Sequence, residues 1–374
     1  MPDKFVHTTK HIANLEMQEM TMMNGVDDKI KHNNNNHTNN NPNEHDEEEE
    51  ELSFFGSEMF EEPKDFRPPT PPPQTLTVVL TPTLHFSVNL IGEHSLWAHC
   101  LWNSSRCISK WFTAGNTANA IVRPNANSTS IDLVANPPQP DYPIIHTNEH
   151  LGDQSLIAPI IAGKSVMELG AGGALPSMTC LFLGAKRVLC TDYPEKKLLD
   201  YTEQTFIDNF GREQYDQLVQ EGTVEIRGHL WGNEEQLKQR NDCIYDELGR
   251  FVRRDAQNGA ETMTKASKDT TEKFDIIILS DLIFNTSTHW EMMTTVRSCS
   301  IPEHTEIYLT YSHHRPHKKQ QELKAFVEAK YLGIEFELLF IEKYPPMFPD
   351  DPYPLEEREK VWMWRGKVKK EEEE

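Results

Sequence analysis

Short apolar runs and helical stripes alternate along the chain from about residue 160 onward. Val166-Met-Glu-Leu169 and Arg187-Val-Leu-Cys-Thr191 read as buried strands, with a helix opening between them near Leu175. After Asp192, Pro194 suits a first helical turn, and Leu199, Thr202, Phe206 and Phe210 share one helical stripe. Thr223-Val-Glu-Ile-Arg227 alternates as a short strand does. Phe274–Ser280 and Glu306–Tyr311 are almost continuously apolar, the character of parallel strands covered on both faces. A helix is predicted from about Lys318 to Tyr331. The ending breaks this rhythm. Ile334–Ile341 and Lys360-Val-Trp-Met-Trp364 flank a proline-rich loop, with no helix between them. The pattern predicts an α/β domain: five parallel strands, helices on both faces, and a C-terminal antiparallel hairpin.

The first of these strands runs into Glu168-Leu-Gly-Ala-Gly-Gly-Ala-Leu175, and Asp192 closes the second. A strand, a glycine-rich turn, a helix and a carboxylate at the next strand tip form a site for an adenosine-containing cofactor. Glycine lets the backbone approach the ligand, and the carboxylate accepts hydrogen bonds from ribose hydroxyls. The dinucleotide fingerprint wants a third glycine where Leu175 stands. Glu168 is unwelcome beside a pyrophosphate and suits the ammonium and sulfonium of S-adenosylmethionine; fixing the loop through backbone amides is its other reading. The pattern E-x-G-x-G followed by an acidic strand end resembles the class I methyltransferases, with their seven-stranded, Rossmann-like sheet. Glycines serving only turn geometry are the plainer alternative.

Charge is unevenly spread. Residues 1–65 carry 16 acidic and 5 basic side chains, so −11 of the formal −22, together with an asparagine block and the acidic run Asp46–Glu51. Such a segment buries too little apolar surface to offset ordering entropy and is expected to be disordered. A charged tail is expected at 367–374, leaving one methyltransferase-like domain over 66–366 with surface insertions at about 113–154 and 241–273. The first residues lack the apolar core of a secretory leader, and no apolar run approaches the ~18 residues of a membrane span. Six cysteines show no C-x-x-C pairing, so a reduced, cytoplasmic chain is expected. Its acidity argues against direct nucleic-acid binding.

A narrower resemblance rests on motifs in fixed order. They are Phe54-Phe-Gly56, Lys64-Asp-Phe-Arg-Pro-Pro-Thr-Pro-Pro-Pro73, Leu96-Trp-Ala-His-Cys-Leu-Trp-Asn103 and Glu168–Ser177. Thr191-Asp-Tyr-Pro194, His229-Leu-Trp-Gly232, Leu279-Ser-Asp-Leu-Ile-Phe-Asn285, His313-His-Arg-Pro316 and Pro345-Pro-Met-Phe348 follow. Together they resemble the fungal methyltransferases of the N-terminal glycine and adjacent lysine of translation elongation factor 1-alpha, a branch of the seven-beta-strand lysine methyltransferases. The resemblance implies elongation factor 1-alpha as protein partner and S-adenosylmethionine as methyl donor. It implies a cofactor site of Trp102, Gly170, Ala171, Gly172, Asp192, Trp231 and Ser280. In that site the glycine loop approaches the methionine portion, Asp192 the ribose and Trp231 the adenine, while Trp102 walls the sulfonium. Each residue has a blander reading: tryptophans in apolar runs pack, and a serine ending a strand caps. Trp97, Trp362 and Trp364 are read as packing residues.

Methyl transfer to nitrogen is an in-line displacement by a neutral amine, so orientation is the main demand. An α-amine near ~7.7–8.0 is substantially neutral at cellular pH, whereas lysine near ~10.4 is not. Asp281 is the candidate catalytic carboxylate, orienting the amine, with Asn285 as a second candidate; a helix N-cap is the alternative for Asp281. His313, His314 and Arg315 sit on the same edge and could shape the substrate mouth or simply initiate a helix. A metal on His313, His314 and His317 lacks a completing ligand set, and no metal is expected. Two other functions use the same cofactor motifs: a small-molecule, nicotinamide-like amine methyltransferase, and a cofactor-binding interaction protein without turnover.

Overall fold

The computed structural model describes residues 72–92, 94–116, 158–240, 242–254 and 270–370. The acidic head, most of the 113–154 stretch, the middle of 241–273 and residues 371–374 lie outside the described residues.

An antiparallel hairpin comes first, β1 (Gln74–Thr81) with β2 (Leu84–Leu90), followed by α1 (Asn103–Asn116). Leu84, Phe86, Val88 and Leu90 alternate inward and are buried, the period-2 signature of a half-covered strand. The alternating domain then runs β3 (Ser165–Leu169), α2 (Leu175–Phe182), β4 (Arg187–Asp192), α3 (Lys196–Phe210), α4 (Arg212–Glu221) and β5 (Val224–Gly228). A small hairpin, β6 (Cys243–Tyr245) and β7 (Phe251–Arg254), precedes β8 (Ile276–Ser280), α5 (His289–Cys299), β9 (Glu306–Tyr311) and α6 (Lys319–Tyr331). The chain closes with β10 (Ile334–Lys343), the short α7 (Leu355–Arg358) and β11 (Lys360–Val368).

Seven strands pair in the order β10-β11-β9-β8-β3-β4-β5. Strands β3, β4, β5, β8 and β9 are mutually parallel, and β11 runs antiparallel to both β9 and β10. This is the class I methyltransferase sheet. Successive side chains point to opposite faces, which explains the unbroken apolar runs. Val166, Val188, Ile276 and Ile278 pack with α2, α3 and the β1–β2 hairpin. Met167, Leu189, Ile277 and Leu279 pack with Met292 of α5, Phe326 of α6, Trp362 and Trp364. The strand order turns back at β3, between β4 and β8, and ligands of open α/β sheets bind in the crevice at the carboxyl ends of strands at such a point.

Several details depart from the sequence reading. Pro194 stands ahead of α3, whose N-cap is Glu195, and Leu198 rather than Leu199 is the buried residue of its first turn. The 241–273 stretch is built in at both ends. Besides β6 and β7, its Glu272 meets Arg187 at 3.0 Å, and that guanidinium, 1% exposed, also reaches Glu225 at 2.8 Å. A buried charge needs such partners, so this segment is anchored under the start of β4. Strand β11 continues to a buried Val368, past the expected boundary at 366. All six cysteines are free. Among the described residues no helix is long and apolar enough to cross a membrane.

Candidate active site

Trp102, Gly170, Ala171, Gly172, Asp192, Trp231, Ser280 and Asp281 line one cavity of about 360 Å³ at the carboxyl ends of β3, β4 and β8. The glycine loop is pinned from three sides. The Ala171 amide donates to the Thr191 carbonyl at 3.0 Å, the Thr191 hydroxyl to the Glu168 carbonyl at 2.8 Å, and the Thr202 hydroxyl to the Gly172 carbonyl at 2.9 Å. Gly170 has φ +57°, and a Cβ there would run into the Leu282 side chain. A Cβ on Gly173 would run into Val88, so that glycine admits the β1–β2 hairpin against the loop.

Two carboxylates face the cavity from this side. Glu168 is 1% exposed, and its Oε2 accepts from the Ser177 amide at 2.9 Å and the Ser177 hydroxyl at 2.5 Å, in the first turn of α2. Burial pushes its pKa up to about 8, against the lowering effect of the Ser177 hydrogen bonds. Asp192 accepts from the Gly172 amide at 2.6 Å and the Tyr193 amide at 2.7 Å. Burial raises its pKa too, opposed by those two amides and by His94. His94 bonds Glu195 at 2.9 Å and so ties the loop carrying Leu96, Ala98 and Cys100, which line the cavity, to the start of α3.

The opposite side is built around Asp281. It follows β8 in a left-handed conformation, φ +60°, with its amide donating to the Thr310 carbonyl at 2.7 Å. Its Oδ2 accepts from the Ser104 hydroxyl at 2.8 Å, and its Oδ1 lies 2.9 Å from His314 Nε2. It is not an N-cap, since α5 begins eight residues later, after Thr288. Ser280, beside it, keeps a buried hydroxyl with no hydrogen-bond partner among the described residues. The Trp102 ring lies tilted against His314 (ring centroids 4.5 Å, 47° between planes) and touches the rings of Phe284 and Phe348. Trp97, read as a packing residue, is 40% exposed on this rim with φ +60° and packs edge-on to Phe348. Trp362 and Trp364 are core residues.

The histidines part ways. His313 turns into the core and bonds Glu322 at 2.6 Å, His314 turns to Asp281, and His317 stacks on Tyr353. Among the described residues no three His, Cys, Asp or Glu side chains gather where a metal could be held. Asn285 lines the cavity; Arg315 precedes the 3-10 turn that leads into α6. Ser104, His94 and Phe284 were not singled out from sequence. Only the chain's folding brings Ser104, 177 positions away, to Asp281. Phe284 lies within the Leu279–Asn285 motif, where nothing local marks it as a cavity residue.

These residues fit a cationic adenosyl ligand: among the described residues, two buried carboxylates have no basic hydrogen-bond partner and the buried Ser280 hydroxyl has no partner, beside a tryptophan wall. No family model matches the sequence. The chain is 30% identical over 307 residues to the protein N-terminal and lysine N-methyltransferase of Schizosaccharomyces pombe, covering 80% of this chain and 90% of that protein. It is 27% identical over 311 residues to the protein of the same name from Candida albicans, covering 82% and 94%. Among solved structures it overlaps a ribosomal protein L11 methylase of Lactobacillus delbrueckii subsp. bulgaricus (TM-score 0.30, 10% identity, 56% of this chain and 72% of that one). It also overlaps an arsenic (III) S-adenosylmethionine methyltransferase of Chlamydomonas reinhardtii (TM-score 0.33, 11% identity, 57% and 66%). Those overlaps are loose, and the strand order itself carries the fold. On its identity to the Schizosaccharomyces pombe protein across nearly that protein's whole length, the chain belongs to the protein N-terminal and lysine N-methyltransferase family and is an S-adenosylmethionine-dependent methyltransferase.

Proposed function

We propose that the protein methylates the N-terminal glycine amine and the adjacent lysine of translation elongation factor 1-alpha. The observation that carries the reading is the pairing, in one cavity, of a cation-ready edge (Glu168, Asp192) with an amine-ready carboxylate (Asp281). The named activity of the Schizosaccharomyces pombe and Candida albicans relatives supports a protein amine as acceptor. So does the rim, where Leu96 and Trp97 stand exposed as a surface for a polypeptide rather than closing a pocket around a small ring.

In this reading Asp192 takes the ribose hydroxyls, Ser280 and the Gly170–Gly172 backbone hold the methionine portion, and Trp231 lies against the adenine. Glu168 meets the ammonium, and Trp102 flanks the sulfonium, with cation–π attraction of roughly 0.5–2 kcal/mol. The bound donor supplies an already activated methyl group. The chain's own work is to align the amine, exclude water and keep the nitrogen lone pair free, and Asp281 orients that amine through a hydrogen bond.

The test is mass spectrometry of elongation factor 1-alpha after incubation with the purified protein and S-adenosylmethionine. Methyl-sized mass steps on the N-terminal peptide, placed by fragmentation on the glycine amine or the lysine, are expected. Absence of any step, with the donor still bound by calorimetry, would transfer the assignment to a small-molecule acceptor.

A further inference from the structure

An amine acceptor poses a problem that a lone carboxylate makes worse. A negative charge beside an amine favours the ammonium form, which has no lone pair to receive a methyl group. Asp281 does not stand alone. His314 Nε2 lies 2.9 Å from one of its oxygens, and the Ser104 hydroxyl holds the other at 2.8 Å. Asp281 and His314 are both buried, and the imidazole is fixed between the rings of Trp102 and Phe348. The Asp281 backbone is held by Thr310, so the carboxylate stays where the imidazole meets it.

We propose that His314 is the counter-ion of Asp281, a positioning residue that cancels the carboxylate's charge so that the substrate amine meets a hydrogen-bond acceptor without being held as ammonium. This rests on the amine-methyltransferase reading above. Burial works against a proton on His314, but the Asp281 carboxylate outweighs it and raises the pKa above the ordinary histidine value. The other charged groups near the ring are Glu322 of α6, which adds to the pull, and Arg315, which opposes it. Glu322 is engaged by His313 at 2.6 Å, so neither of that pair replaces His314 at Asp281.

The variant His314→Gln keeps a side-chain N–H for Asp281 and removes the charge. Its kcat is measured against pH on a peptide carrying the elongation factor's N-terminus. Near pH 7, kcat is expected to fall about tenfold or more, with the acid limb displaced upward by about one pH unit or more and activity converging on wild type at about pH 9.5. Donor affinity by calorimetry stays unchanged. Adding Asp281→Asn removes the uncompensated charge and brings the limb back toward its wild-type position. A loss by the same factor at every pH, or a limb that stays displaced in the double variant, overturns the proposal and leaves His314 a packing residue. No transfer to the peptide by the wild type at any pH instead sinks the amine reading, and the inference with it.

Discussion

The two edges of the cavity treat their carboxylates in opposite ways. Glu168 and Asp192 take hydrogen bonds from backbone amides and one serine hydroxyl, whereas Asp281 takes one from an imidazole. Amides orient a carboxylate without cancelling its charge, so burial leaves Glu168 with a pKa of about 8 and raises that of Asp192. In the proposed reading the cationic donor supplies the compensating charge on that edge. In the same reading the Asp281 edge has His314 as its counter-ion, 2.9 Å away, as suits a carboxylate that meets an uncharged amine. Charge compensation thus tells apart two sets of acidic side chains that share one cavity, which residue type alone does not.

The sharpest way to break the comparison is at Asp192. Hydrogen bonds to a charged group are worth about 1.5–3 kcal/mol each. In the proposed role, where Asp192 takes two ribose hydroxyls, Asp192→Ala is therefore expected to weaken S-adenosylmethionine binding by about a hundredfold or more, leaving no detectable turnover. The fold should survive, because the side chain is a desolvated charge at a strand tip rather than a packing residue. Calorimetry and circular dichroism together check this; wild-type donor affinity in the folded variant would remove Asp192 from the cofactor site.

Glu168 sharpens the comparison through pH. Its ordinary pKa of 4.5 is lifted to about 8, so the empty native protein holds a proton there at neutral pH. A cationic ligand needs the ionised form, so binding expels that proton. Affinity then rises with pH by up to about tenfold per unit below 8 and levels off above it. Stability of the empty protein runs the other way. Between pH 4.5 and about 8 the native state binds a proton that the unfolded chain has lost, so this group's contribution declines as pH rises. Calorimetry in buffers of different ionisation enthalpy counts the expelled proton. Glu168→Gln, which still accepts from Ser177, should abolish the proton release, flatten the pH dependence and weaken donor binding by about tenfold. Proton release unchanged in the variant would place the titrating group elsewhere.

Much of this was legible in the sequence, and the parts that were not share a cause. Local signals suffice for β3, the glycine loop and Asp192, because apolar run, turn and strand tip are contiguous and each needs only its neighbours. The same holds for the closing strands, where proline forbids a crossover helix, although the loop does hold the one-turn α7 that the sequence reading left out. The β1–β2 hairpin carried a signal too, in the alternation of Leu84, Phe86, Val88 and Leu90. It lies far from the glycine motif and was not predicted. What sequence cannot show is which group neutralises which. His313 and His314 are adjacent and chemically identical, yet the bend that follows β9 sends one to Glu322 in the core and the other to Asp281. Ser104 and Trp102 reach Asp281 and His314 only once α1 packs across the sheet.

The smallest effect is expected behind the Asp281 edge. Arg358 of α7 is 6% exposed and donates to three backbone carbonyls of the proline-rich loop, those of Tyr353 at 3.0 Å, Phe348 at 2.6 Å and Asp351 at 2.8 Å. Asn103 pins the same loop from α1, donating to the Pro345 carbonyl at 2.7 Å. The clamp holds the Phe348 ring against Trp97, Trp102 and His314, at the substrate rim and away from the glycine loop. Arg358→Ala leaves carbonyls without their donor, at a cost of about 1–3 kcal/mol, and lowers the melting temperature by several degrees. Its catalytic effect should fall on one edge only: KM for the protein substrate rises a few-fold while donor affinity stays at the wild-type value. Equal damage to both would mean that the two edges share one support, and the division between them would be chemical but not mechanical.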